Sequence, residues 1–283
     1  MEKKISIEQG FTHGGQFHAD DVFSTALLRI LNPDIKITRG NSVPQEFDGI
    51  VYDIGGGRFD HHQKEKEYRD NEIPYAAFGL LWREYGTLLM GEEDAQDFDH
   101  RFIEDLDLSD NTGSSHSLAL AIADFNPSWD DKKDGNVCFW EAVDVAQKIL
   151  THKIERVNAS ARARSLVEEA MKKSDGTILI LDRFMPWKRS VRETGFLYAI
   201  YPSNRGGYSI QAVPKDEKEE DQIVLKLPFP ESWRAATPEE LQKESGVAGA
   251  RFCHASGFLA AADTLEDAIA LAKTSIKTAN EIE

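Results

Sequence analysis

The spacing of apolar residues changes several times along the chain. "KISIEQGFTH" alternates and then runs into a glycine-rich turn, the pattern of a strand, while "DDVFSTALLRIL" repeats its apolar positions at helical intervals. "DIKITRG" reads as a second strand, and "FDGIVYDIGGG" as a third, a short apolar run closed by three glycines. "PYAAFGLLWREYGTLLM" predicts a helix beginning at Pro74, and "DAQDFDHRFIEDLDLSDN" another with Phe98, Phe102, Ile103 and Leu106 on its inner face. Alternating strands and helices predict an α/β fold around a parallel sheet.

From 137 to 173 the chain is nearly free of glycine and proline, with Val143, Ile149, Leu150, Ile154, Val157, Leu166 and Val167 at roughly helical spacing. That predicts one long helix, with room for a single break, joining two lobes. Beyond it, "TILILD", "GFLYAIYPS" and "GYSIQAVP" read as strands and "KDEKEED" as a solvated loop. "TPEELQKESG" and "TLEDAIALAKTSIKT" read as helices capped by threonine. The organisation expected is a parallel-sheet domain over 1–136, a connecting helix over 137–173, and a smaller α+β domain over 174–283. No internal repeat is visible.

Composition narrows the class. The chain has 283 residues, a formal net charge of −16, and two distant cysteines, Cys138 and Cys253. Such acidity argues against broad attraction to duplex nucleic acid or an anionic membrane, because that binding rests on neutralising phosphates. It leaves room for a cation-lined cleft. No apolar run approaches the roughly 20 residues a membrane crossing needs. The beginning "MEKKISIEQG" has no apolar core of signal-peptide length, and the cysteines have no metal-type spacing. A cytoplasmic setting is expected.

Four patches place metal-ligand side chains at strand ends or in the turns that follow. They are "THGGQFHADD" with His13, His18, Asp20 and Asp21; Asp53 in "VYDIGG"; Asp60, His61 and His62 in "RFDHHQ"; and Asp107 and Asp110 in "DLDLSDN". In open α/β sheets ligands bind beyond the carboxyl ends of the strands, where these loops would meet. Converging carboxylates and imidazoles cannot all ionise together unless a cation neutralises them. Mixed ligands of this kind suit manganese, iron or zinc. A shared carboxylate such as Asp53 can bridge two ions about 3.5–4 Å apart, the arrangement that drives phosphoryl displacement.

In this order the four patches resemble the motifs of the DHH phosphoesterase superfamily. The first departs from that superfamily's common His-x3-Asp-x-Asp: here His13 is followed by four residues, His18, one residue and Asp20. This variant is similar to the melanocyte-proliferating-gene (MYG) family of metal-dependent hydrolases, regarded as exonucleases. "PFPESWRAATPEELQKESGVAGARFCHASGFLAAA" and "GGYSIQAVP" resemble that family's C-terminal half. The resemblance implies a DHH-type catalytic domain followed by a substrate-binding one. It also implies one ion held by His13, His18 and Asp53 and a second by Asp20, Asp53 and His61, with Asp107 or Asp110 completing the set. Asp60 would orient an imidazole, and His62 would face the substrate phosphate. Arg205, Gly206 and Gly207 in "NRGG", with His254, Ser256 and Gly257 in "CHASGF", would grip the substrate.

The expected activity is therefore a two-metal phosphoester hydrolase, a phosphodiesterase or 3′→5′ exonuclease on short single-stranded nucleic acid. Mn²⁺ is the expected ion, with Mg²⁺, Zn²⁺ or Fe²⁺ as alternatives. Closure of two lobes about the long helix would enclose the substrate, and a homodimer stays possible. A second enzymatic reading keeps the metals and takes small nucleotides or phosphoanhydrides. Trp187, Trp233 and Tyr208 are the aromatics available to stack a base. A non-enzymatic metal-binding protein is the third reading.

Overall fold

The computed structural model describes residues 4–219 and 222–281. They divide into two compact units, up to Asn158 and from Ala159 onward.

In the first unit the alternating pattern yields β1 (Gln9–His13), α1 (Ala19–Leu31), β2 (Lys36–Gly40) and β3 (Ile50–Val51). The strands form a parallel sheet of order β2-β1-β3, so β1 is central and His13 lies at its carboxyl end. The strand expected from Lys4 begins only at Gln9, where pairing with Lys36 starts. Helices follow: α2 (Ala77–Tyr85) with a 3₁₀ turn over Gly86–Leu88, α3 (Glu92–Phe98), α4 (Glu104–Thr112) and α5 (Ser117–Ala123). Residues Asp99–Ile103, between α3 and α4, wind as a π-helix. Pro74 lies ahead of the helix expected to begin there; its C=O instead accepts from Arg69.

Every residue of α1 except Arg29 is buried. Phe23, Leu27 and Leu28 pack among Phe78, Phe102 and Ile103, and the inner side of α6 (Gly135–Lys172) closes this core with Phe139, Val143 and Leu150. α6 is the long helix expected over 137–173, running unbroken. Its residues to Asn158 belong to the first unit and the rest to the second, where Ala163 and Val167 enter a separate apolar cluster.

The second unit adds β4 (Ile178–Ile180), the short α7 (Lys188–Val191), β5 (Tyr198–Pro202), β6 (Tyr208–Ala212), β7 (Pro214–Glu219), β8 (Gln222–Leu225), α8 (Pro238–Ser245), β9 (Ala250–Cys253), β10 (Leu259–Ala262) and α9 (Leu265–Asn280). Five strands form a mixed sheet of order β4-β5-β6-β10-β9. Thr237 caps α8 in a reciprocal box with Glu240, and Thr264 caps α9, as the sequence predicts. The charged stretch expected as a loop is mostly strand: β7 pairs antiparallel with β8, whose apolar run supplies a backbone partner, while Glu220 and Asp221 of that stretch lie outside the described residues. Trp187 and Trp233 are core residues, 1% and 2% exposed, so neither offers a face to a base. Among the described residues no helix is long and apolar enough to cross a membrane.

The buried face of α1 holds the first unit together. Leu27→Ala should cost about 2–5 kcal/mol, the usual penalty of a large core truncation. Urea unfolding should show the loss as a lower midpoint, and an unchanged midpoint would mean that the fold does not rest on this helix.

Candidate metal centre

Three backbone features bring the polar patches to the carboxyl edge of the parallel sheet. β1 ends at His13, and the chain turns through Gly14 and Gly15, the latter at φ +79°. α1 then starts at Ala19, so Asp20 and Asp21 occupy its first turn, where the helix dipole favours negative charge. Consecutive helical residues point about 100° apart. The two aspartates therefore serve different neighbours: Asp21 reaches His13, and Asp20 reaches His61.

After β3 the backbone of Asp53 takes a left-handed conformation, φ +55°, which costs a non-glycine residue about 1–3 kcal/mol. The strain is held by the Asp53 N–H, which donates to the Phe59 carbonyl at 2.9 Å, and by the glycine turn between them. It aims the Asp53 carboxylate back under the sheet edge. Asp53 Oδ2 lies 3.2 Å from His13 Nε2, and Oδ1 lies 3.5 Å from both His61 Nδ1 and His62 Nδ1.

The ligand atoms fall into overlapping groups, each within 4.8 Å: His13, Asp21 and Asp53; Asp20, His61 and Asp110; and Asp53, Asp60, His61 and His62. Asp53 belongs to two of them and His61 to two. His61 Nε2 is 3.0 Å from Asp110 Oδ2, and its Nδ1 is 3.6 Å from Asp20 Oδ2. Asp60 orients His62: its Oδ1 accepts from the His62 N–H at 3.0 Å and pairs with His62 Nδ1 at 2.8 Å. Gly56 N–H donates to its other oxygen. His62 is exposed and lines a hollow of about 430 Å³ with His13, His18, Asp53 and Asp110.

Two placements within these patches are decided by the fold. His18 does not join the set of adjacent ligand atoms. As the extended N-cap of α1 it stays at the rim of the hollow, its ring 6.2 Å from that of His13, and Asp21 stands beside His13 and Asp53 instead. Of the two aspartates left open in α4, Asp110 faces His61. Asp107 is turned away, taken up by Arg69 Nη2 at 2.8 Å and by the Gly79 N–H at 3.2 Å. Sequence reasoning also missed Arg39 on β2, whose buried guanidinium lies 3.8 Å from Asp21 and over the Phe139 ring.

The cluster contains its own test for a cation. Asp21 Oδ2, Asp53 Oδ1 and His61 Nδ1 are buried and make no hydrogen bond. Unpaired buried polar atoms cost about 1–3 kcal/mol each and are rare. Here three come from neighbouring side chains of ligand type, so the residues fit a positive ion. Electrostatics agree. Burial, then the charges of Asp53, Asp110 and Asp107, push the Asp20 carboxyl well above the usual range. Burial raises Asp21 to about 7 against the opposing pull of His13 and Arg39. Burial disfavours the charged His13 ring, yet its hydrogen bond to Asp53 and the charge of Asp21 outweigh this and raise it to about 9. Without a cation the cluster holds protons in its place.

The C-terminal residues expected to grip substrate do not form one group within their unit. Arg205–Gly207 precede β6, whose Tyr208 pairs with Ala262 at the far end of β10. His254–Gly257 precede Leu259 at the near end, opposite Gln211. The two turns thus lie roughly 10 Å or more apart along the strands, too far for one phosphate to touch both. In the second turn, His254 Nδ1 accepts from the Ser256 N–H at 3.1 Å and sits 2.9 Å from Ser256 Oγ.

A parallel sheet whose carboxyl edge gathers buried aspartates and histidines defines a protein suited to bind cations there. Comparison places it more narrowly. A family model described as "Uncharacterised protein family (UPF0160)", labelled MYG1 exonuclease, matches residues 10–276. The "MYG1 protein C694.04c" of Schizosaccharomyces pombe is 30% identical, the match covering 94% of this chain and 96% of that one. The "MYG1 exonuclease" of Homo sapiens is 30% identical over 94% of this chain and 85% of its own. The "MYG1 protein" of Dictyostelium discoideum is 29% identical over 95% and 96%. No solved structure matches. The chain belongs to the MYG1 family.

A pH dependence follows from the raised groups. Stabilisation from His13 is complete below its usual 6.5 and is lost as pH rises through about 9. That from a protonated Asp21 is complete below 3.8 and is lost through about 7. The metal-free fold therefore weakens with rising pH while the site's affinity for a cation grows. The thermal upshift caused by Mn²⁺ should be larger at pH 8 than at pH 5; an equal or smaller shift at pH 8 would contradict this account of the cluster.

Proposed function

We propose that this chain is a metal-dependent phosphoester hydrolase of the DHH type, a phosphodiesterase or 3′→5′ exonuclease on short single-stranded nucleic acid. The observation that carries the proposal is the set of ligand groups joined through Asp53 and His61, with three buried ligand atoms that make no hydrogen bond. The exonuclease name of the human relative supports the reaction class. So does the formal charge of −16, which disfavours long duplex substrates.

His13, Asp21 and Asp53 would hold one divalent ion, with His18 within the same hollow as a further donor. Asp20, His61 and Asp110, with Asp53, would hold the second. Such a pair supplies Lewis acidity and an activated water for in-line displacement at phosphorus, Mn²⁺ being the ion proposed. His62, held through Nδ1 by Asp60, presents Nε2 to the substrate phosphate, and with both ring nitrogens protonated it can give the Nε2 proton to the departing oxygen. Burial works to raise Asp60, but the N–H groups of His62 and Gly56 hold it below the usual range, so it stays an acceptor that fixes the His62 tautomer. In the second unit, His254 keeps Nδ1 in its own turn, which leaves Nε2 for a phosphate or base. Arg205 is exposed in a separate turn and would act apart from it. The 1–136, 137–173 and 174–283 division assigns catalysis to the first part and substrate binding to the last.

One observation favours smaller substrates. Two of the three aromatics available for stacking, Trp187 and Trp233, are buried, so a stacking track for a long single strand is not built from them. Mononucleotide-sized phosphodiesters and phosphoanhydrides are the second reading.

Two measurements test these assignments. The protein should hydrolyse a bis-phosphodiester reporter with Mn²⁺ and stop in chelator, and Asp53→Asn should cut turnover at least about 100-fold with the fold intact. Normal turnover by that variant would remove Asp53 from its bridging position. His254→Ala should raise KM for oligonucleotides while sparing the small reporter; equal losses on both would rule out a substrate-gripping role.

A further inference from the structure

Behind Asp110 lies an arginine that touches neither the hollow nor any of the proposed ligands. The Arg69 side chain is 6% exposed. Its Nε and Nη2 donate to the two oxygens of Asp99 at 2.7 Å each, and Nη2 also donates to Asp107 Oδ2 at 2.8 Å. The guanidinium lies over the Tyr75 ring, 4.0 Å from its centre. Asp107 is 1% exposed and also accepts from the Gly79 N–H of α2. A side chain at Gly79 would run into the Asp107 carboxylate, so α2 and α4 meet there backbone to carboxylate.

The same first turn of α2 holds a ligand of the second group. Ala77 and Phe78 N–H donate to the two oxygens of Asp20 at 3.0 and 2.7 Å. Asp110, three residues after Asp107, lies on the neighbouring stretch of α4 that faces His61. The Arg69–Asp107–Gly79 contact therefore fixes the register between the α2 turn that receives Asp20 and the α4 turn that carries Asp110. Among the described residues no hydrogen bond joins Arg69 to His13 or Asp21, which sit on β1 and on a different side of α1, beside Arg39.

We propose that Arg69 is a positioning residue for one of the two cations, the one held by Asp20, His61 and Asp110, acting through Asp107. It neutralises a buried carboxylate that would otherwise compete for that ion, and its fork sets where α4 delivers Asp110. This rests on the two-cation reading above and assigns each ion its own buried arginine.

The test is a Mn²⁺ titration of the full metal-free chain, read by calorimetry and by the paramagnetic resonance of free ion, with reporter turnover measured in parallel. Arg69→Met should weaken one of two bound ions at least about tenfold, within the range seen when a ligand's supporting partner is lost, and leave the other nearly unchanged. Arg69→Lys should recover only part of the loss, because an ammonium cannot make the forked contact. The loss should be non-additive with Asp110→Asn and additive with His13→Gln. Removing a buried partner can unfold a protein, so circular dichroism accompanies each variant. If Arg69→Met does not fold, Asp107→Asn, of the same size and leaving Arg69 paired to Asp99, takes its place in the same cycle. Unchanged affinities, parallel weakening of both ions in a folded variant, or coupling to His13 rather than Asp110 would overturn the proposal. A wild-type chain that turns over the reporter while Arg69→Met binds normally sinks this inference alone. A wild-type chain that binds fewer than two ions sinks the two-cation reading with it.

Discussion

Crowding of like charge at the carboxyl edge of the three-stranded sheet governs the first unit. Asp20, Asp21, Asp53 and Asp107 are all nearly or fully buried, within a protein whose acidic excess gives no general relief. Carboxylates in such a place either take protons, find fixed donors, or share a cation. The structure uses the second device for some of them: the first N–H groups of α2 receive Asp20, and Arg69 receives Asp107. The remainder, Asp21 and Asp53 with His61, keep buried atoms with no hydrogen bond. Paired carboxylates thus form a scaffold around unpaired ones, and the unpaired ones mark where positive charge belongs.

The left-handed backbone at Asp53 fits this division of labour. A residue that merely ended β3 could be asparagine or glycine at lower conformational cost. An aspartate there accepts strain to place its two oxygens against three imidazoles, those of His13, His61 and His62. Strain of this kind persists where the surroundings over-determine it, and the return of the chain to Phe59 supplies that constraint.

Much of the site was legible before any coordinates because its parts are local. A histidine closing a strand, two aspartates opening a helix, and Asp-His-His in the turn after the third strand are contiguous signals whose positions follow from the period of the pattern. That Asp21, and not His18, stands beside His13 and Asp53 was not legible, since it depends on where α1 begins: one residue's shift in helix phase decides which side chain turns inward. The choice of Asp110 over Asp107 depends on Arg69, and a lone arginine in "EYRDNEI" reads as a solvated residue until the fold buries it. The separation of the two C-terminal turns follows from the register of β6 against β10, which no local pattern encodes. The charged run of β7 looked like a loop because its composition, taken alone, carries no apolar face; its pairing comes from β8.

The π-helical turn over Asp99–Ile103 explains how one guanidinium reaches two aspartates eight positions apart. In an uninterrupted α-helix eight residues advance about 800°, leaving Asp99 and Asp107 some 80° out of line. The Glu104 N–H bonds to the Asp99 carbonyl five residues back, so the turn absorbs one residue and the effective count becomes seven, about 20° short of two full turns. The bulge works as a phase shifter. A shortening by a single residue between α3 and α4 would swing the "DLDLSDN" face around the axis by more than a quarter turn, taking Asp107 and Asp110 together out of line with Asp99. Length in this segment is therefore under tighter constraint than composition, an unusual condition for a stretch that reads as ordinary amphipathic helix.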